Sequence, residues 1–92
     1  MIRLNVFIQV SKENRSAVLE AAKELVEKSI KNDAGCVAYD AFESTTRPDV
    51  LMICETWKDA DVLAVHQKAD HFVTLVGKIQ ELATMKIESF EF

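Results

Sequence analysis

The stretch ETWKDADVLAVHQKADHF, residues 55–72, holds both histidines and the only tryptophan of the chain, together with four carboxylates. Residue types of that kind, at that density, fit acid–base work or ligand binding at the edge of a small fold. His66 is the first candidate for a base or hydrogen-bond donor, because imidazole titrates near neutral pH. The competing role is an amphipathic residue at the rim of the core. His71 follows Asp70 at an expected helix start, where capping or plain surface exposure competes with ligand contact. Trp57 suits a core or a pocket wall, and its indole N–H needs a partner when buried. Glu55 is either a lone pocket carboxylate or the partner of a Lys or Arg on a neighbouring strand. Asn5 falls in a strand, where Asn is depleted, so it is either exposed or placed for a polar task. Tyr39 offers packing or a phenol donor. No Ser-His-Asp set, paired-carboxylate spacing or Cys-His dyad accompanies these residues. Cys36 and Cys54 lie in neither a CxxC nor a zinc-ligand spacing, so free thiols are expected and a metal site is not.

The elements that must position them are legible from periodicity. Residues 2–10 alternate, with Ile2, Leu4, Val6, Ile8 and Val10 on one face, which predicts a strand. Ser11 stands where a helix N-cap would. From Glu13 to about Lys31 the apolar residues Val18, Ala21, Ala22, Leu25, Val26 and Ile30 form a helical stripe, ended by Asn32, Asp33 and Gly35. CVAYDAFES (36–44) and VLMICETWK (50–58) read as strands joined by the turn TTRPD, hence an antiparallel hairpin. Asp59 and Asp70 are N-cap candidates for two short helices. MKIESFEF (85–92) alternates again as a last strand. The order β-α-β-β-α-β, with the second helical segment broken in two, predicts an α+β, ferredoxin-like fold: a four-stranded antiparallel sheet with helices on one face.

Ninety-two residues make one domain, 1–92, with no room for a second. The net charge of −4, without a basic run or a glycine-rich phosphate loop, argues against nucleic-acid binding. Apolar runs are far shorter than the roughly 20 residues of a membrane span, so no membrane partner is expected. The first residues read as a strand rather than a leader, which makes the cytoplasm the default address. Helices cover only one face of such a sheet. The other, expected to carry Asn5, Phe7, Trp57 and Phe90, is too apolar to face water, so a homodimer packed sheet to sheet is expected. Gaps in that packing, lined by Asn5, Phe7, Tyr39, Trp57 and Phe90, would form a small-molecule pocket. The phase of the third strand is open, because Leu51 and Ile53 suit either side.

E-x-W-K-D at Glu55–Asp59, then His66, then His71-Phe72 resembles the antibiotic biosynthesis monooxygenase family, most closely its small stand-alone members of the quinol monooxygenase type. Asn5 in the first strand, Asp33-x-Gly35-Cys36 after the long helix, and Tyr39 in the second strand agree with it, over essentially the whole chain. The resemblance implies a dimeric α+β barrel that oxidises a quinol- or anthrone-like aromatic substrate with O2 and uses no metal, flavin or haem. His66 would be the base. Asn5, Trp57 and Tyr39 would position the substrate or stabilise its oxyanion, and Phe7, His71, Phe72 and Phe90 would complete the substrate site. Haem-degrading relatives carry an Asn, Trp, His set, but their Trp and His positions hold His66 and Val76 here, so haem is not expected. An isomerase of a phosphorylated sugar derivative shares the Glu55–Phe72 pattern, so an isomerase of a small oxygenated metabolite is the alternative enzyme. A dimeric ligand-binding or stress-response module is the non-catalytic one.

Overall fold

The computed structural model describes residues 1–92. The chain runs β1 (Ile2–Val10), α1 (Arg15–Asn32), β2 (Cys36–Glu43), β3 (Val50–Trp57), α2 (Ala60–Lys68), α3 (Asp70–Leu82) and β4 (Ala83–Glu91). The strands form one antiparallel sheet in the order β2-β3-β1-β4, the ferredoxin-like arrangement expected. β1 and β3 are therefore central, which is why they carry the densest apolar sequence. No helix is long and apolar enough to cross a membrane.

Burial in β1 alternates as its sequence does. Ile2, Leu4, Val6, Ile8 and Val10 are buried under the helices. α1 turns Val18, Ala21, Ala22 and Leu25 onto them, closing a 15-residue core. Register fixes the phase that the sequence left open in β3. Ile2, Leu4, Val6 and Ile8 pair with Trp57, Glu55, Ile53 and Leu51, so all four of these β3 residues point to the helical side. Trp57, expected on the open face, is instead fully buried beneath the helices. Tyr39, paired with Glu55, joins it there. The rule of alternation fails in β2 because Val37 is an extra residue between the Cys36–Trp57 and Ala38–Thr56 pairs. Asn5, Phe7 and Phe90 do occupy the open face. Asn5 is opposite Cys54 and accepts from its thiol at 3.5 Å. Phe7 and Phe90 are exposed.

Two helix starts depart from expectation. Asn14, not Ser11, precedes α1, and its side chain donates to the Leu82 carbonyl (3.2 Å) rather than capping. Asp59 does cap α2, accepting from the Val62 backbone N–H at 2.9 Å. Asp70 is already inside α3, whose N-cap is Ala69. Its carboxylate lies in the first turn, where it suits the helix dipole.

Gly35 ties the end of α1 to the start of α2. Its φ is +82°, and a Cβ built there would lie 2.6 Å from Val62. Its carbonyl accepts from the Lys58 N–H at 2.9 Å. Gly35→Ala combines backbone strain with a clash against a β-branched side chain. We expect a loss of about 2–4 kcal/mol in chemical denaturation. Wild-type stability in that variant would show that α2 is not held where described.

Candidate active site

His66, near the C-terminal end of α2, is 1% exposed. Its ring lies over Trp57, with centroids 4.4 Å apart, and meets Phe72 and Tyr39 edge-on at 4.9 and 5.5 Å. One polar group enters this aromatic box. The Asp33 carboxylate, in the connection after α1, lies 2.5 Å from His66 Nδ1 and 2.8 Å from His71 Nε2, both through Oδ2. A carboxylate only accepts, so both ring nitrogens carry hydrogen. His66 is thereby held as the Nδ1–H tautomer. Its Nε2, buried and without a hydrogen-bond partner, keeps a free lone pair. Burial pushes the His66 pKa below its ordinary value, Asp33 opposes that shift, and His71 adds to it. The imidazole is neutral at pH 7 and competent as a base.

His66 lines a small, partly open cavity of about 40 Å³ between sheet and helices. Leu4, Val6 and Ile53 contribute to its floor, Leu63 and Phe72 to its roof, and no Lys or Arg reaches it. Its other ionisable groups are Glu55 and Tyr39. Glu55 is 4% exposed and accepts from Trp57 Nε1 at 2.9 Å. Burial pushes its pKa up to about 7, against the lowering effect of the Trp57 and Tyr39 hydrogen bonds. Burial, then the charge of Glu55, drives the Tyr39 phenol far above its usual range, so it stays a donor. Of the two readings open to Glu55 in the sequence, the structure selects the lone pocket carboxylate.

The inner cavity shares Phe72, Val76, Met85 and Ile87 with an outer groove of about 350 Å³ between α3 and β4. Gly77 belongs to that groove, and a Cβ there would meet nothing within 4 Å. The inner space admits one water-sized molecule, whereas small-molecule sites run to roughly 300 Å³ and more.

The fold brings together five residues singled out in the sequence: His66, Trp57, Tyr39, Phe72 and Glu55. His71 meets the site through Asp33 and through its ring, 6.0 Å from that of His66, and does not line the cavity. Asn5, Phe7 and Phe90 are separated from it by the thickness of the sheet, because they occupy the alternate strand positions. Asp33 had been read only as a helix terminator. Asp33, His66 and His71 also place three donor atoms within 4.8 Å, a potential metal-ligand set. Ligands around an ion at about 2.0–2.2 Å stand farther apart than the 2.5 and 2.8 Å found here. These separations are those of two N–H donors sharing a carboxylate.

Comparison with known proteins agrees with this fold. The chain is 32% identical over 88 residues to YcnE of Bacillus subtilis (strain 168), a protein provisionally named a monooxygenase, covering 96% of this chain and 92% of that one. A Bacteroides thetaiotaomicron crystal structure of a conserved protein of unknown function, for which an oxidoreductase role has been suggested, superposes with a TM-score of 0.96 at 62% identity, over 99% and 96% of the two chains. A Nitrosomonas europaea structure, provisionally named for antibiotic biosynthesis monooxygenase, shares the fold with a TM-score of 0.92 at 21% identity, over 100% and 98%. The family model for antibiotic biosynthesis monooxygenase matches residues 1–78, and the chain belongs to that family.

Proposed function

We propose that this protein is a cofactor-independent monooxygenase that oxidises a quinol- or anthrone-like phenolic substrate with O2. The observation that carries the reading is His66: Nδ1 anchored to Asp33, Nε2 buried and unpartnered, on the wall of an apolar cavity. A phenol that loses its proton becomes an electron donor to O2. The protein then has to supply a base, a dry site and donors for the resulting oxyanion. His66 Nε2 takes the proton, with Asp33 stabilising the imidazolium that forms. The Trp57 indole and the Tyr39 phenol belong to the same box, and Phe72 with Val76 and Ile87 excludes water. The absence of basic residues from the cavity disfavours a phosphorylated substrate, and with it the isomerase alternative in its phosphorylated form.

The test is oxygen uptake by purified protein with reduced naphthoquinones and anthrones, wild type beside His66→Ala. We expect uptake above autoxidation and a loss of about 10²–10⁴-fold in the variant. Equal uptake by both proteins would sink the assignment of the base.

The open sheet face is read as the seat of a second copy of this chain. Phe42, Met52 and Phe7 stand side by side across three strands. Phe7, Phe42 and Phe90 are 37%, 48% and 51% exposed. Burial of such a patch favours association by about 25 cal/mol per Å². Light scattering is expected to give twice the 10.4 kDa chain mass. Phe7→Asp is expected to shift the protein towards a single chain at micromolar concentration, and a wild-type mass of one chain would remove the dimer.

A further inference from the structure

Gly77 weakens α3 without serving its packing. It lies in the middle of that helix, its φ is not positive, and a Cβ there would meet nothing within 4 Å. A glycine in a helix interior is destabilising relative to alanine, and neither backbone conformation nor a close neighbour calls for one here. Gly35 differs on both counts.

What the missing side chain leaves open is the groove between α3 and β4. Val73, Gly77 and Gln80 fall on one face of α3, at i, i+4 and i+7, and Ile87 lines the groove from β4. Val73 and Ile87 are 61% and 59% exposed, so apolar rims stand in water on both sides of Gly77. Gln80 is the one polar side chain of the lining, and no charged group belongs to it. Ile87 pairs with Val6 and so lies on the helical side of the sheet, away from the face assigned above to a second copy. Phe72, Val76, Met85 and Ile87 wall the His66 cavity as well, so the two spaces adjoin.

We propose that the α3–β4 groove binds neutral fused-ring phenols and that Gly77 sets the ring size it accepts. The inference rests on the aromatic phenol of the functional reading above and adds where its rings lie: outside the His66 cavity, whose 40 Å³ holds no ring. The groove, at about 350 Å³, is of small-molecule size. Its uncharged lining offers no partner to a phosphate or carboxylate, and desolvating either there is unfavourable. An aromatic body covers the exposed rims, and the Gln80 amide is free to donate to, or accept from, an oxygen at the ligand's outer edge. Gly77 carries no reacting group, so its role is specificity. A leucine in its place projects into the space of one ring while improving the helix.

The experiment measures Kd for 1-naphthol and for phenol by isothermal titration calorimetry under nitrogen, with wild type, G77A and G77L. Thermal melts and light scattering accompany it, backbone amide shifts locate the ligand on the wild type, and oxygen uptake is assayed separately. Both variants are expected to melt about 4–8 °C higher than wild type. G77L is expected to weaken 1-naphthol by about 10-fold or more while phenol changes little, with G77A between. In the wild type, 1-naphthol is expected to shift amides of Val73, Val76, Gly77 and Ile87. Selective loss of 1-naphthol without any oxygen uptake would support the groove while sinking the oxygenase reading. Equal 1-naphthol affinity in wild type and folded G77L, no wild-type binding, or amide shifts confined to other elements would overturn the proposal. A changed mass in G77L with unchanged binding would also overturn it, by giving the groove to a polypeptide. If G77L does not fold, the space is not open as described, and that too counts against it.

Discussion

Asp33→Asn is expected to leave a folded protein whose His66-dependent oxygen uptake falls by about 10²–10⁴-fold. Asp33 Oδ2 fixes two imidazoles at once, and its side chain is only 7% exposed. An asparagine has one acceptor oxygen and one donor amide in that place. If the amide faces His66, Nδ1 must accept, and the ring proton moves to Nε2, the atom that has to take a proton from substrate. If the oxygen faces His66, the tautomer survives, but the charge that stabilises the imidazolium is gone. Both routes reduce turnover rather than folding, because the backbone bonds of this segment, Asp33 N–H to Ser29 and Cys36 N–H to Asp33, are untouched. The check is kcat beside a thermal melt. A variant with wild-type kcat would show that the carboxylate is only a structural tie. Asp33→Ala is the harsher change, since two ring N–H groups lose a charged acceptor, each bond worth about 1.5–3 kcal/mol.

Glu55→Gln is expected to stabilise the protein at pH 8 by roughly 3 kcal/mol, a rise in Tm upwards of about 10 °C, and to do nothing at pH 4. The folded-state pKa of about 7 exceeds the ordinary 4.5, so folding takes up a proton. Below pH 4.5 both states are protonated and the group is neutral in its effect. Between 4.5 and 7 the unfolded chain ionises while the folded one does not, so wild-type stability declines as pH rises. Above 7 the loss is complete. Gln abolishes the dependence and keeps a carbonyl oxygen for the Trp57 indole. Denaturation at pH 4, 6 and 8 decides it: parallel curves for the two proteins would mean that Glu55 ionises in place without cost.

How much of this was legible in the sequence depended on whether a residue obeyed a local period. β1 alternates without interruption and sits between two strands, so its faces were read correctly. β3 was ambiguous because Leu51 and Ile53 suit either side, and Glu55 shares their phase. A carboxylate in line with core residues argues for the solvent side until a cavity is known to receive it. Tyr39 was misplaced because Val37 bulges out of β2 and shifts the alternation by one. His66 could be singled out by chemistry but not oriented. Its anchor, Asp33, is 33 residues away in the chain. Asp33 stands in Asn-Asp-x-Gly, where turn chemistry is sufficient explanation for its type. Only the folded backbone shows that the same turn brings one carboxylate oxygen to both imidazoles.

Trp57 is the only tryptophan in the chain. Its indole donates to Glu55 and its ring lies against that of His66. The intrinsic fluorescence of the protein is therefore a native optical probe of a single locus. Ionisation of Glu55, protonation of His66 and displacement of cavity solvent by an aromatic ligand each alter the surroundings of that one emitter. Titrations and stopped-flow binding can be read without a label, and a spectral change in this protein carries an address.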